Sequence, residues 1–113
     1  MTGSPSPRRG EIWLAEMDKT RPAVVMHRDF AGRVLNHILV APLTTTMRDI
    51  PTAVRLGAAD GVDRDCIALL DALTLLRRDR FIQRIGALSA ERMIELCRAL
   101  AIAVACEGPV LGR

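Results

Sequence analysis

The sequence predicts an α+β domain: a small, strongly curved antiparallel sheet or barrel with one C-terminal helix packed on it. From residue 11 to residue 88 the chain is a succession of short apolar runs, some alternating with period two, separated by Gly, Asp, Pro and polar residues. Only beyond Ser89 does the period change, and apolar side chains then recur at three- and four-residue steps. A chain of 113 residues can bury one core and has no material for a second. A curved sheet with an open apolar face needs a covering layer, and the one helix can supply it.

The first strand is predicted over Glu11 to Met17, where Ile12 and Leu14 alternate with Glu11 and Trp13. A short connection, Asp18-Lys19-Thr20, leads into a valine-rich second strand over Pro22 to His27. Turn residues Asp29 and Gly32 separate it from a long third strand, Val34 to Leu43. Pro42 has no N–H to give to a ladder, which argues for an edge position or a bulge there. Thr44 to Thr46 would then stand where the strand leaves the sheet. Thr52 to Leu56 is read as a fourth strand and Gly57 to Asp65 as a loop. Further strand segments fall at Cys66 to Leu70, Ala72 to Leu76 and Ile82 to Leu88, with a solvated turn at Arg77 to Arg80.

Ser89 is placed to cap a helix from Ala90, with Glu91 in the first turn where the helix dipole favours an anion. Met93, Leu96, Cys97, Leu100, Ala101 and Val104 form its predicted apolar face, and Gly108-Pro109 is the expected stop. The domain is accordingly placed at residues 8–107, between a Ser/Pro-rich disordered tail at 1–7 and a second tail at 108–113. No stretch has the pattern of a signal peptide or approaches the ~20 apolar residues that cross a bilayer.

Composition bounds the function. Half of the residues are apolar but only 3% are aromatic, so an RNA-binding sheet paved with aromatic rings is not expected; Trp13, Phe30 and Phe81 are the large rings available. The net charge of +3 fits transient contact with a polyanion better than a permanent coat on nucleic acid. Cys66, Cys97 and Cys106 are odd in number and lack paired short spacings, so neither a zinc site nor a disulfide framework is indicated, and a reduced cytoplasmic setting fits. Small buried hydrophobes are the ordinary reading of all three.

Three segments stand out in a fixed order: Arg8-Arg9-Gly10-Glu11-Ile12-Trp13-Leu14, then Arg21-Pro22-Ala23-Val24-Val25, then Val40-Ala41-Pro42-Leu43-Thr44-Thr45. In this order and spacing the chain resembles the MazF/PemK-type toxins over residues 8 to 106. The resemblance implies an SH3-like barrel of the MazF, CcdB and Kid type. It implies a homodimer that cuts single-stranded RNA without metal or other cofactor and is held in check by a MazE-like antitoxin with an acidic tail. It also implies attack by the neighbouring 2′-hydroxyl, leaving a 2′,3′-cyclic phosphate and a 5′-hydroxyl. Arg21 and Thr44 are the positions that match the family's catalytic pair.

The residues themselves are compatible with such chemistry. A guanidinium fixed by the following proline and a stiff valine strand can hold two phosphate oxygens as charge builds on phosphorus. A threonine hydroxyl can bond a phosphate oxygen or orient the attacking hydroxyl, but is no base near neutral pH. Lys19, Thr20, Arg28 and Arg48 are candidates for gripping RNA phosphates, and Thr45 and Thr46 for reading unstacked base edges. Glu11 is read as structural support for nearby backbone N–H groups or an arginine.

The chain departs from the family pattern in the first connection, which is cut short and has no glutamate between Glu16 and Arg21. Proton transfer is therefore left open among Asp18, His27 and His37. Two other classes share the fold or the residues: a CcdB-like toxin that binds gyrase, and a noncatalytic domain that binds RNA or sequesters antitoxin.

Overall fold

The computed structural model describes residues 6–29 and 34–106. Seven strands run in the order β1 (Glu11–Glu16), β2 (Thr20–Val25), β3 (His37–Thr44), β4 (Ala53–Leu56), β5 (Cys66–Leu69), β6 (Thr74–Arg77) and β7 (Phe81–Ala87), followed by helix α1 (Ala90–Ala103). All pairings are antiparallel, and the sheet order is β4-β5-β3-β2-β1-β7 with β6 also on β3. Among the described residues no helix is long and apolar enough to cross a membrane.

β3 is the centre of the sheet, which corrects the edge position expected from Pro42. Along one side it pairs with β2, with Ala23 opposite Pro42. Along the other it pairs first with β6, up to Val40 opposite Thr74, and then with β5, from Leu43 opposite Ala68. Pro42 falls in the interval between these two partners, where no ladder needs its missing N–H. A 3₁₀ turn at Leu70–Ala72 joins β5 to β6 across that interval.

The pleat sends alternate side chains to the two faces of the sheet, and each face buries its own apolar cluster, which corrects the single core expected from the chain length. Ile12, Val24, Met26, Ala41, Leu43 and Leu70 pack beneath α1 against Met93, Leu96 and Ala99. Ala15, Ala23, Val25, Ile38, Val40, Leu76 and Phe81 form the core of the other face, bordered by Trp13 and Met17. Trp13 and Phe81 meet edge to face, ring centres 5.8 Å apart, so these two rings pack on one another. Phe30 and Gly32 lie outside the described residues. In β1 the alternation serves both faces: Ile12 enters the core beneath α1, Trp13 and Ala15 turn to the other, and Leu14 stays half-buried.

The start of β1 is fixed by Gly10. Its N–H donates to the Val25 carbonyl, its own carbonyl accepts from Leu88 N–H, and its φ of +87° is one that side chains rarely adopt. Pro7, assigned by composition to the tail, is fully buried, so the folded unit includes it.

Helix α1 starts at its expected cap, with Ser89 Oγ accepting from Arg92 N–H at 3.1 Å. Its buried face is Met93, Leu96 and Ala99, with Leu100 and Ala103 alongside. Val104, expected on that face, is 54% exposed, and Cys97 and Ala101 line an outer groove instead. The helix also ends before Gly108, which lies outside the described residues: Ala105 takes φ +57° and donates to Ile102 O, while Cys106 N–H returns to Ala101 O. This double bond pattern satisfies the last carbonyls without a glycine. Other strand limits shift slightly: Val34 to Asn36 precede β3, Ala72 belongs to the 3₁₀ turn, and Arg77 closes β6.

Candidate active site

The connection between β1 and β2 is tight. Met17 N–H donates to the Lys19 carbonyl, and Thr20 Oγ1 donates to Glu16 Oε1 at 2.6 Å. It delivers Arg21 to the second position of β2, with Ala15 opposite it on β1. On the other flank the β2–β3 ladder runs through Val25/Val40, Val24/Ala41 and Ala23/Pro42. Arg21 lies two residues before Ala23 on β2 and Thr44 two residues after Pro42 on β3, both beyond the last pair of this ladder. Both line one cavity of about 180 Å³, together with Pro42, Thr46, Arg48, Leu69 and Ala72.

Arg21 is the more confined of the two, its side chain 22% exposed. Its Nη2 donates to Asp18 Oδ2 at 3.0 Å. Its Nε is buried and has no hydrogen-bond partner. A buried donor left unsatisfied costs roughly 1–3 kcal/mol, so the guanidinium retains unused bonding capacity where it stands. Thr44 Oγ1 accepts from Thr46 N–H at 3.2 Å, which fixes the hydroxyl at the lip of the cavity and leaves its own proton to donate.

The chain beyond Thr44 wraps this site. Thr46 and Arg48 border the same cavity, while Thr45 turns to a second one of about 300 Å³, bounded also by Pro22, Leu43, Thr44, Val62, Asp63, Arg64 and Cys66. Thr44 thus belongs to both. Lys19 and Thr20 are exposed on the turn leading into Arg21. Arg28 follows the opposite end of β2 and borders neither cavity.

Glu11 is committed elsewhere. Its Oε1 accepts from Arg8 N–H and Trp13 Nε1–H at 2.8 and 2.9 Å, and its Oε2 from Arg84 Nε at 2.9 Å, so one carboxylate joins the N-terminal segment to β1 and β7. Arg9 does the same for the next layer, donating to Met26 O and approaching Cys97 Sγ at 3.0 Å.

The histidines are separated by role. His27 Nδ1 accepts from Leu39 N–H at 2.8 Å, which splices the end of β2 to β3. Burial, and then the neighbouring Arg28 charge, hold its pKa below the ordinary histidine value. His37 is exposed at the start of β3, at the end of that strand opposite Thr44. Neither borders the Arg21–Thr44 cavity.

With this geometry in view, the sequence profile of the PemK-like, MazF-like toxins of type II toxin-antitoxin systems matches residues 8–104. The chain belongs to this family. It is 39% identical over 103 residues to the probable endoribonuclease MazF5 of Mycobacterium tuberculosis, covering 88% of this chain and 94% of that protein. Endoribonuclease MazF9 of the same organism is 32% identical, covering 82% and 92%. Among solved structures, M. tuberculosis toxin MazF-mt6 superposes with a TM-score of 0.83 at 28% identity, over 87% of this chain and 99% of that one. A mycobacterial endoribonuclease in complex with its cognate antitoxin gives 0.82 at 25% identity, over 91% and 99%. The curved antiparallel sheet with one C-terminal helix is the MazF fold.

The loop 57–65 contributes side chains that the sequence pattern did not single out. Asp60 is anchored to α1: Arg92 Nε and Nη2 donate to its two oxygens at 2.9 and 3.3 Å, and Gly57 N–H adds a third bond at 3.0 Å. Burial by itself would raise the Asp60 pKa, but the Arg92 and Gly57 hydrogen bonds and the Arg92 charge outweigh it and hold the carboxyl below the usual range. Asp63 and Arg64, on the same loop, are exposed at the rim of the second cavity, with no side-chain hydrogen bond or ion pair among the described residues. The only sequence signal for them was an Asp-Arg pair inside a Gly/Asp-rich loop.

Proposed function

We propose that this MazF-family toxin is an endoribonuclease that cuts single-stranded RNA without metal, through attack of a 2′-hydroxyl on the adjacent phosphate, with Arg21 and Thr44 as its catalytic pair. The observation that carries the reading is that one cavity, at the mouth of two neighbouring strands, is lined by both side chains, one with an unsatisfied buried donor. The relatives named endoribonuclease support the reaction class. They also favour it over a gyrase-binding toxin or a noncatalytic domain.

In this reading the scissile phosphate enters the cavity and takes Arg21. The guanidinium donates to the nonbridging oxygens, where charge develops as O2′ bonds to phosphorus and the bond to O5′ breaks. Thr44 donates its free hydroxyl proton to the same centre. Arg48 and Thr46, on the cavity wall, steady the phosphate and the nucleotide beside it, and Lys19 and Thr20 contact the strand at the turn.

Exchange of partners at Arg21 solves the proton problem left by the short first connection. Asp18 holds Arg21 in the free protein. When the phosphate takes over the guanidinium, the Asp18 carboxylate is released within reach of the site and accepts the 2′-hydroxyl proton; water protonates the leaving 5′-oxygen. Product is a 2′,3′-cyclic phosphate and a 5′-hydroxyl.

Exposed apolar side chains at Leu75, Ile82, Ile94, Ile102 and Val104 leave surface for a second copy of the chain and for an antitoxin. The toxin acts in the cytoplasm, where its RNA lies. The deciding experiment incubates the purified protein with mixed-sequence single-stranded RNA in EDTA and characterises the ends. Cuts bearing 5′-hydroxyl and cyclic phosphate ends, absent when the attacking nucleotide is 2′-deoxy, are expected. Intact RNA, or cuts that persist at 2′-deoxy positions, overturns the reading.

A further inference from the structure

The cavity on the other side of Thr44 is not used by the chemistry above. It opens at the end of the sheet face that lies under α1, where Pro22 and Leu43, each one residue from the proposed catalytic pair, point away from Arg21 and Thr44 by the alternation of the strand. Val62 completes its apolar lining. At about 300 Å³ it lies at the small end of ligand-sized pockets, room for one flat ring and not for an extended ligand.

Its rim has a different character from that of the phosphate cavity. Arg21 and Arg48 face the first; Asp63, Arg64 and Thr45 face the second. A carboxylate repels phosphate, so this rim does not grip the RNA backbone. A carboxylate accepts hydrogen bonds only, and among the bases it suits an edge that presents an amino group. The guanidinium beside it can stack on the ring or donate to a ring acceptor, and the threonine hydroxyl can do either. Among the described residues neither Asp63 nor Arg64 has a side-chain hydrogen-bond or ion-pair partner, unlike Asp60, which Arg92 occupies. The fold is thus stabilised by one acid of this loop, and another faces the cavity uncommitted.

We infer that this cavity is a nucleobase subsite adjoining the scissile phosphate, in which Asp63 and Arg64 select a base bearing an exocyclic amino group over uracil. Uracil presents two carbonyl oxygens around its single N–H, and these meet the Asp63 carboxylate with repulsion. Adenine, cytosine and guanine each bring an amino donor. Apolar contact from Pro22, Leu43 and Val62 holds the ring faces, and Thr44 links the seated base to the reacting phosphate. The inference rests on Arg21 and Thr44 marking the cleavage point, since that is what makes the second cavity a neighbour of the cut.

The test cleaves a randomised single-stranded RNA pool in EDTA with the full chain and sequences the cut ends, for wild type, Asp63→Asn and Arg64→Ala. An asparagine amide can pair with uracil, so Asp63→Asn is expected to raise cutting at uracil relative to the amino-bearing bases roughly tenfold, at one position flanking the cut, with turnover of the pool retained. Arg64→Ala should flatten preference at that same position. Asp63→Glu keeps the charge and should keep the bias against uracil. Unchanged base frequencies in Asp63→Asn and Arg64→Ala overturn the subsite while leaving the nuclease intact, and so does a uniform loss of cutting at all sequences. A wild type that cuts nothing removes the nuclease reading and this inference with it.

Discussion

Arg21 of β2 and Thr44, the last residue of β3, line one cavity just beyond the Ala23–Pro42 pair at which the β2–β3 ladder ends. In the proposed reading, a phosphate in that cavity meets two donors carried by neighbouring strands of one sheet, which need not reorganise during the reaction.

Arg21→Ala should lower single-turnover cleavage of single-stranded RNA about a hundred- to a thousandfold, the usual effect of removing one preorganised donor. Arg21→Lys should recover little of it, because an ammonium cannot span two phosphate oxygens as a planar fork does. Thr44→Val, which keeps the shape and removes one hydroxyl, should cost about tenfold. Cleavage rates in Arg21→Ala within twofold of wild type, as read by gel in EDTA, would dismiss this pair.

Asp60 and Arg92 fasten the loop 57–65 to helix α1, and α1 covers one of the two cores. Asp60→Asn should destabilise the fold by about 1.5 kcal/mol at pH 7, the low end for a charged hydrogen bond because the Arg92 side chain is 34% exposed. The sign in pH follows from a folded carboxyl held below its unfolded value of about 3.9. The contribution is complete above that value and is lost as pH falls through the lower folded one. Urea melts of wild type and Asp60→Asn should converge below about pH 4; a constant difference across acid pH refutes the assignment.

His27 splices two strands, its Nδ1 accepting from Leu39 N–H, a role that measurement can separate from proton transfer. His27→Leu removes the acceptor of Leu39 N–H and should cost about 1–2 kcal/mol of stability with cleavage per folded molecule unchanged. The folded pKa is lowered, so the neutral ring stabilises the fold fully above the unfolded value of about 6.5, and that benefit declines as pH drops toward the folded value. Stability and cleavage measured in parallel separate the two roles. A hundredfold loss of cleavage in a stably folded His27→Leu protein would make it part of the chemistry.

Much of this was legible in the sequence because local signals agreed with the fold. Alternating apolar runs marked the strands, Ser89 marked the helix start, and the Arg-Pro and Pro-Leu-Thr segments sat on the strands that pair. What escaped was set by tertiary geometry. Pro42 reads locally as an edge residue, yet it lies at the centre of the sheet where β3 changes partners from β6 to β5. On α1, apolar residues occupy so wide an arc that periodicity favoured Cys97 and Val104, whereas the sheet beneath selected Ala99 and Ala103. Asp63 and Arg64 carry no motif; they meet Thr44 only because β5 pairs with the end of β3.

The end of α1 gives a stability prediction independent of RNA. Ala105 occupies the left-handed position of a helix C-terminal motif at φ +57°, where a Cβ costs roughly 1–2 kcal/mol. Glycine removes that strain and returns part of the gain as unfolded-chain entropy. Ala105→Gly should stabilise the protein by about 0.5–1 kcal/mol, seen as a higher urea midpoint with the slope unchanged. A lower midpoint contradicts the motif.

Asp18 decides how the short first connection does its work. If its carboxylate takes the 2′-hydroxyl proton once phosphate has displaced it from Arg21, Asp18→Asn should slow the chemical step about a hundredfold or more, as loss of a general base does. RNA affinity should rise or stay level, because the guanidinium no longer leaves a carboxylate to meet the phosphate. A merely positioning Asp18 predicts the reverse: weaker binding from a loosened Arg21, and a chemical step nearly intact at saturating RNA. Single-turnover rates and binding to a 2′-deoxy RNA that cannot be cut, measured on the same variant, distinguish the two. A fast chemical step in Asp18→Asn passes proton transfer to solvent and leaves Arg21 and Thr44 to act by charge and position alone.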